Sequence, residues 1–385
     1  MPLQKDTRMT LSFDVLATDP GSAARLGVLH TSKGDVPTPA FMPVATNASI
    51  KAVLPETVAD MGPRIILANA YHLHLQPGES VVAAHGGVHS FMNWPHLVIT
   101  DSGGYQVFSL PVRDIQEDGV HFRMEKGGQA VVLSPESSIA IQEQLGADIA
   151  MAFDECVAYP SPYPYAKAAM ERSLRWAERC KAAHTRGGQA LFGIVQGSTF
   201  ADLRKASAEA TAALDLPGIA VGGLSVGEGL EVMQEVLGYT VPYLPADKPR
   251  YLMGVGLPED ILAYIEAGMD MSDCVIPTKY ARTGVLFTSV GRLRIMNAPY
   301  RKDKFPPDTN CTCYTCANYS RAYLHHLFHA GEIVGHTLAS IHNLHFYETL
   351  MAGAREAIRA GRFMSFKQDF LAQYQRVNKK SRHVR

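Results

Sequence analysis

Asp101 ends an apolar run in the way a strand delivers a catalytic group. Leu97-Val98-Ile99-Thr100 is short and β-branched, and it stops at Asp101-Ser102-Gly103-Gly104. A buried strand that gives way to a carboxylate, a hydroxyl and two glycines sets that carboxylate in a turn a ligand can approach closely. Asp154 follows the run 148–153, Gln196 follows 191–195, Gly222-Gly223 follow 218–221, and Asp273 lies within 269–275. Two carboxylates on opposite walls of a pocket, with a third and an amide between them, suit acid/base or glycosyl chemistry. A different chemistry is written in Cys311-x-Cys313-x-x-Cys316. Three thiolates at that spacing suggest a metal rather than disulfides, and a fourth ligand would close a tetrahedral structural zinc site. By spacing alone His325, His326, His329, His336, His342 and His345 are equal candidates.

The elements that must carry these groups form a regular alternation. Residues 37–44 lead into a first strand, and further strands are expected at 64–69, 97–100, 148–153, 191–195, 218–221, 251–253 and 269–275. Helices are expected over 55–61, 134–145, 165–184, 199–214, 230–237 and 258–267, and a hairpin over 113–133 with its turn at Gly127-Gly128. Eight strand–helix units within about 240 residues favour a (β/α)8 TIM barrel over an open doubly wound sheet. The active face of such a barrel lies at the strand C-termini, so Asp101, Asp154, Gln196, the Gly222-Gly223 backbone and Asp273 would ring one pocket. No Gly-x-Gly-x-x-Gly opens the first helix; Met253-Gly254-Val255-Gly256 is the nearest approach and comes too late for a dinucleotide fold. The expected division is a barrel over 1–300, with N-terminal strands and the catalytic site, and a zinc-binding subdomain over 301–385. Helices at 319–329 and 341–360 would dock that subdomain on the barrel.

At 385 residues, 46% hydrophobic and 19% charged, the chain has the balance of a soluble globular protein with a large core. No apolar run approaches the ~18 residues of a membrane span. The start, Met1-Pro2-Leu3-Gln4-Lys5-Asp6, lacks an apolar signal region, so a cytoplasmic protein is expected. The net charge of −1 hides an asymmetry: residues 301–385 hold 13 lysines and arginines against 6 acidic residues, +7 on a body of −8. A basic final quarter is a hint of a polyanionic partner.

Taken in order, the motifs resemble those of the bacterial tRNA-guanine transglycosylases (queuine tRNA-ribosyltransferases), and the likeness runs over essentially the whole chain. It is carried by Pro37-Thr-Pro-Ala-Phe-Met-Pro-Val44, Thr100-Asp-Ser-Gly-Gly-Tyr-Gln106, Met151-Ala-Phe-Asp-Glu-Cys156 and Phe192-Gly-Ile-Val-Gln-Gly197. Ala220-Val-Gly-Gly-Leu-Ser-Val-Gly-Glu228, Tyr251-Leu-Met-Gly-Val-Gly256, Asp273-Cys-Val-Ile-Pro-Thr278, the cysteine loop and His342-Asn343 complete the set. The resemblance implies a zinc-bearing TIM barrel that exchanges guanine at the wobble position of G-U-N anticodon tRNAs for 7-aminomethyl-7-deazaguanine, a queuosine precursor. It implies Asp273 as nucleophile on the ribose C1′ and Asp101 as general acid/base. For the base it implies Asp101, Ser102, Gly103, Gly104, Tyr105, Asp154, Cys156, Gln196, Gly222, Gly223, Leu224 and Met253. For tRNA it implies Gly254, Val255, Gly256, Leu257, Pro258, Glu259 and Asp260, and then Thr278, Lys279, Tyr280, Ala281 and Arg282. Cys311, Cys313, Cys316 and His342 would hold one structural Zn²⁺ per chain, and a homodimer is implied.

The implied chemistry is sound in itself. Base exchange with retained configuration needs two displacements, hence one nucleophilic carboxylate and one group that moves protons. The wobble base must leave the anticodon stack, and loop phosphates then need basic side chains such as Lys279 and Arg282. One segment departs from the family. Where Thr-Arg-x-x-Arg-Asn-Gly is usual, this chain has Thr278-Lys279-Tyr280-Ala281-Arg282-Thr283-Gly284, so the fork of one arginine is lost. Val226 beside the glycine turn favours a compact incoming base. A transglycosylase that takes queuine directly, or acts on another base or on DNA, would use the same aspartates. A barrel glycoside hydrolase would share the carboxylates but explains neither the cysteine loop nor the basic tail. A non-catalytic RNA-binding subunit would have no need of both Asp101 and Asp273.

Overall fold

Short apolar runs that are buried on both faces pair as parallel strands, because only helices packed outside such a sheet can cover it. Eight of them close a barrel in the computed structural model, which describes residues 11–108, 110, 113–123 and 130–374. They are β1 (Ala40–Ala45), β2 (Ile65–Ala68), β3 (Leu97–Thr100), β4 (Ile149–Met151), β5 (Ala190–Val195), β6 (Gly218–Val221), β7 (Arg250–Leu252) and β8 (Met271–Cys274). Consecutive strands are neighbours throughout, and β8 closes on β1 with Asp273 opposite Met42 and Cys274 opposite Pro43. All eight expected strands are present. The interior is filled by Met42, Ile65, Leu97, Ile99, Ile149, Met151, Phe192, Ile194, Tyr251 and Met271, a packed core rather than a pore.

The helices outside the barrel follow their local signals. Pro135–Leu145 opens with a reciprocal Ser134–Ser137 capping box and ends at Gly146 in the left-handed conformation. Tyr163–Ala183, Ala201–Ala213, Leu230–Thr240 and Pro258–Glu266 lie close to the expected spans. The 341–360 helix is longer than its pattern: it runs Ile333–Arg359. Its first turns carry exposed Ile333 and Val334 and then Gly335, so no apolar stripe announces them.

Three additions were not read from the sequence in detail. Strands Ser12–Thr18, Arg25–His30 and Val36–Thr38 form an antiparallel sheet that adds Phe13, Leu29 and Val36 to the barrel-interior cluster. Arg25 fastens this sheet to Asp270, just ahead of β8, through bonds of 2.7 and 2.5 Å. The excursion between β3 and β4 is a three-stranded sheet, Arg113–Ile115, Val120–Arg123 and Ala130–Leu133; the expected Gly127-Gly128 turn lies outside the described residues. After β8 come the helix Ile276–Arg282, a hairpin of Val285–Thr288 with Gly291–Arg294 and the helix Tyr314–Asn318, ahead of Arg321–Ala330, the helix expected at 319–329. Among the described residues no helix is long and apolar enough to cross a membrane.

Candidate active site

Asp101 stands one residue past β3, and its carboxylate is fixed by the segment after β2. Asn69 caps the helix Ala70–Leu75, accepting from the His72 N–H through its own Oδ1. Its Nδ2 donates to Asp101 Oδ2 at 2.5 Å, while the Ala70 N–H donates to Oδ1 at 2.8 Å and Gln106 to Oδ2 at 3.1 Å. Burial first, and then the charge of Asp273, push Asp101 up to about 7 against the opposing Ala70 and Gln106 bonds.

Asp273 lies in β8 and keeps partial access to solvent. Tyr251, from the neighbouring β7, donates to its Oδ1 at 2.5 Å, and the Gly254 N–H donates to the same oxygen at 3.0 Å. Removal from water raises its affinity for a proton, and these two donors pull it back. Burial and the Asp273 charge hold the Tyr251 phenol far above its ordinary range, so it remains a donor.

Asp154 and Gln196 make the wall between them. Gln196 Nε2 donates to Asp154 Oδ2 at 2.6 Å, and Ser102 Oγ approaches Oδ1 at 3.4 Å. Burial pushes Asp154 up to about 6 against these bonds. Gln196 Oε1 is buried and has no hydrogen-bond partner among the described residues. The glycines here are spatial requirements. A Cβ on Gly223 (φ +67°) would come within 2.4 Å of Gln196 Oε1, one on Gly222 within 2.7 Å of its Nε2, and one on Gly104 within 2.8 Å of the Asp154 carbonyl.

The remaining expected residues fall into place unequally. Ser102, Gly103, Gly104, Gly222 and Leu224 are buried at the strand ends; Cys156, Gly223 and Met253 are half-buried; and Tyr105 is 62% exposed, an aromatic face open to solvent beside Gly104. Burial pushes the Cys156 thiol up to about 12. Past β7, Gly254 is exposed, Val255, Gly256 and Pro258 are buried, and Leu257, Glu259 and Asp260 are half-buried. Glu259 accepts from Arg292 at 2.6 Å. In the helix Ile276–Arg282, Thr278 and Ala281 are buried and Tyr280 stacks on Phe287 with ring centroids 5.6 Å apart. Lys279 is exposed there and Arg282 half-buried.

Sequence reading missed the polar residues that set these groups in position. Gln142 bolts β3 to β4, accepting from Thr100 Oγ1 (3.0 Å) and the Met151 N–H (2.9 Å) and donating to the Met151 carbonyl (3.0 Å). Fully buried Glu155 accepts from Tyr165 at 2.7 Å and from Arg172, which anchors the segment after Asp154. Asn69, Tyr251 and Glu228 belong with them. The one available signal was a polar residue inside an apolar helix face, as at Gln142.

The metal cluster is better defined by the structure than by spacing. The ligand atoms of Cys311, Cys313, Cys316 and His342 all lie within 4.8 Å of one another. His342 Nδ1 is 3.6 Å from Cys313 Sγ and 3.3 Å from Cys316 Sγ, against the ~3.6 Å sulfur–nitrogen separation of a tetrahedral zinc site. Its Nε2 faces the Phe287 carbonyl at 2.7 Å, so Nε2 carries the hydrogen and Nδ1 offers its lone pair. His325 and His329 instead meet the carbonyls of Ile295 and Met296, and His345 Nδ1 lies 3.6 Å from Cys311 Sγ but outside the cluster. Three thiols and an imidazole so arranged fit a closed metal site. Asn343 ties it to the active side: it accepts from the Phe287 N–H at 3.0 Å and donates to the Pro277 carbonyl at 2.9 Å.

Comparison with known proteins covers most of the chain. A family model described as queuine tRNA-ribosyltransferase matches residues 19–376. The chain is 54% identical over 368 residues to a protein of Symbiobacterium thermophilum carrying that name, covering 95% of this chain and 92% of that one. It is 52% identical to one of Pelotomaculum thermopropionicum (95% and 100% covered) and 51% identical to one of Lysinibacillus sphaericus (96% and 97%), both with the same name.

Proposed function

The chain belongs to the queuine tRNA-ribosyltransferase family, a family of enzymes, and on that footing we propose that it exchanges guanine at the wobble position of G-U-N anticodon tRNAs for 7-aminomethyl-7-deazaguanine. One observation carries the reading. Two carboxylates with raised proton affinity, Asp101 buried and Asp273 half-buried, the first sensing the charge of the second, share a barrel rim with an Asp154–Gln196 pair whose groups suit a purine edge.

The steps follow from the groups. Asp273, held through Oδ1, attacks C1′ with Oδ2; the C1′–N9 bond breaks, and Asp101 gives its proton to the departing guanine. The covalent glycosyl-enzyme then meets the incoming base. Asp101 takes the proton from its ring nitrogen, that nitrogen bonds to C1′, and Asp273 leaves, so two inversions give retention. Asp154 accepts from N1–H and the exocyclic amine, Gln196 and the Gly223 N–H address O6, and Tyr105 stacks on the ring. Lys279, Arg282 and the basic final quarter take the loop phosphates. Zinc is the proposed metal of Cys311, Cys313, Cys316 and His342; it supplies a structural crosslink and no chemistry. The enzyme is proposed to act in the cytoplasm as a homodimer.

The test is incorporation of labelled base into G-U-N tRNA, into a tRNA without that anticodon and into DNA, with guanine, aminomethyl-deazaguanine and queuine in parallel. Incorporation confined to G-U-N tRNA, with the aminomethyl base preferred, is expected. No incorporation into any tRNA overturns the reading; preference for queuine or DNA moves it to the neighbouring activity.

A further inference from the structure

Arg204 is fully buried in the helix Ala201–Ala213, behind the turns that follow β5 and β6. Among the described residues its hydrogen-bond partners are main-chain carbonyls. Nε donates to Ser198 (2.7 Å), Nη1 to Val195 (3.1 Å) and Gly222 (2.8 Å), and Nη2 to Gly223 (3.4 Å). Glu228 contributes negative charge, but its oxygens accept from the N–H groups of Ser225 and Val226. A guanidinium held in this way has given up water for backbone dipoles, an expensive arrangement unless those dipoles must be held in one orientation. Burial lowers Arg204 only to about 10, so it stays charged at neutral pH.

The orientation it holds has a defined other side. In a trans peptide the C=O and N–H vectors oppose one another. With the carbonyls of Gly222 and Gly223 drawn to Arg204, the N–H groups of Gly223 and Leu224 face away from it. The carbonyl just before Gln196, that of Val195, and that of Ser198 two residues after it are drawn to the same guanidinium. One side chain thus fixes both the Gln196 segment and the glycine turn, whose separation is already too small for a Cβ.

We propose that Arg204 is a positioning residue for the base pocket, aiming the Gly223 and Leu224 N–H groups, as fixed donors, at the O6 edge of a bound guanine-type base. This rests on the base-exchange reading. The planar fork is the reason for arginine at this position: five donors in one plane span four carbonyls from two strand ends, which a lysine ammonium does not.

The test compares wild type with Arg204→Lys and Arg204→Met, folding being checked by circular dichroism and thermal unfolding. Guanine and 2-aminopurine, which lacks O6, compete against labelled-guanine incorporation into tRNA. In the variants the KM for guanine is expected to rise about tenfold and the preference for guanine over 2-aminopurine to fall about tenfold, with lysine retaining more than methionine, because lost O6 donors penalise only the base that has O6. The KM for tRNA should stay within about twofold, since no phosphate contact changes. Folded variants that keep the wild-type preference, or lose affinity for both bases equally, overturn the inference and leave base exchange standing. If Arg204→Met does not fold, Arg204→Lys carries the comparison. A wild type that incorporates no guanine overturns both.

Discussion

Burial and the negative charge of Asp273 together raise the proton affinity of Asp101, whose carboxyl is pushed up to about 7. The two side chains come from β8 and from the turn after β3, far apart in sequence and coupled across the pocket. That coupling suits a pair in which one group must be bare and the other protonated when a base departs.

Asp273→Asn should therefore lower the pH at which Asp101 titrates, because the neighbouring charge that favoured its protonated form is gone. Carboxyl carbon chemical shifts or difference infrared spectra across pH 4–9 would follow it. An unchanged midpoint would uncouple the pair. In wild type the same sign predicts that kcat/KM falls as pH rises past about 7 and Asp101 loses its proton.

Asp273→Ala should abolish the covalent enzyme–tRNA adduct, and Asp101→Asn should slow exchange by about 10²–10⁴-fold while tRNA still binds. Denaturing gels and single-turnover kinetics read the two separately. An adduct trapped on Asp273→Ala would place the nucleophile elsewhere, and normal turnover by Asp101→Asn would remove its proton-transfer role.

Asp154→Asn should trade activity for stability. The carboxyl of Asp154 titrates at about 6 in the fold and near 3.8 when unfolded, so the folded state holds its proton more tightly. The resulting stabilisation is complete below the unfolded pKa and is lost as pH rises through 6. Asparagine removes the buried charge, and at pH 8 it should raise unfolding stability by about 1–3 kcal/mol while the base KM climbs. Urea titrations at pH 4 and pH 8 measure this. A stability difference that does not grow with pH would mean the charge is not felt.

Metal analysis should find about one zinc per chain, and chelation or His342→Ala should lower the melting temperature. Asn343→Ala should weaken catalysis as well as stability, since Asn343 links the metal helix to Phe287 and to Pro277 in the helix after Asp273. A metal-free protein with an unchanged melting temperature would refute the ligand set.

The strands and the carboxylates were legible because barrel strands are short apolar runs with chemistry at one end. Each of Asp101, Asp154, Gln196 and Gly222 sits where such a run stops. The partners that tune them were not legible. Tyr251 meets Asp273 across 22 residues and Asn69 meets Asp101 across 32, pairings that carry no local period. Spacing left several histidines open and only the resemblance named His342, which the fold brings to the cysteines; its Nε2 turns to the Phe287 carbonyl, 55 residues away. Arg204 would pass for an ordinary exposed position in an amphipathic helix until the fold buries it.

Closure of β8 onto β1 also sets an order of assembly during synthesis. Residues 40–45 emerge from the ribosome early, but their partner on one side is the strand that carries Asp273, the proposed nucleophile, and Arg355 later grips the Pro39 carbonyl at 2.9 Å. Asp101, Asp154 and Gln196 are all made before Asp273, and the clasp at Pro39 comes after it. On the proposed mechanism, a chain that has not yet supplied β8 would lack Asp273, so opening of a glycosidic bond would wait until the last barrel strand has closed on the first.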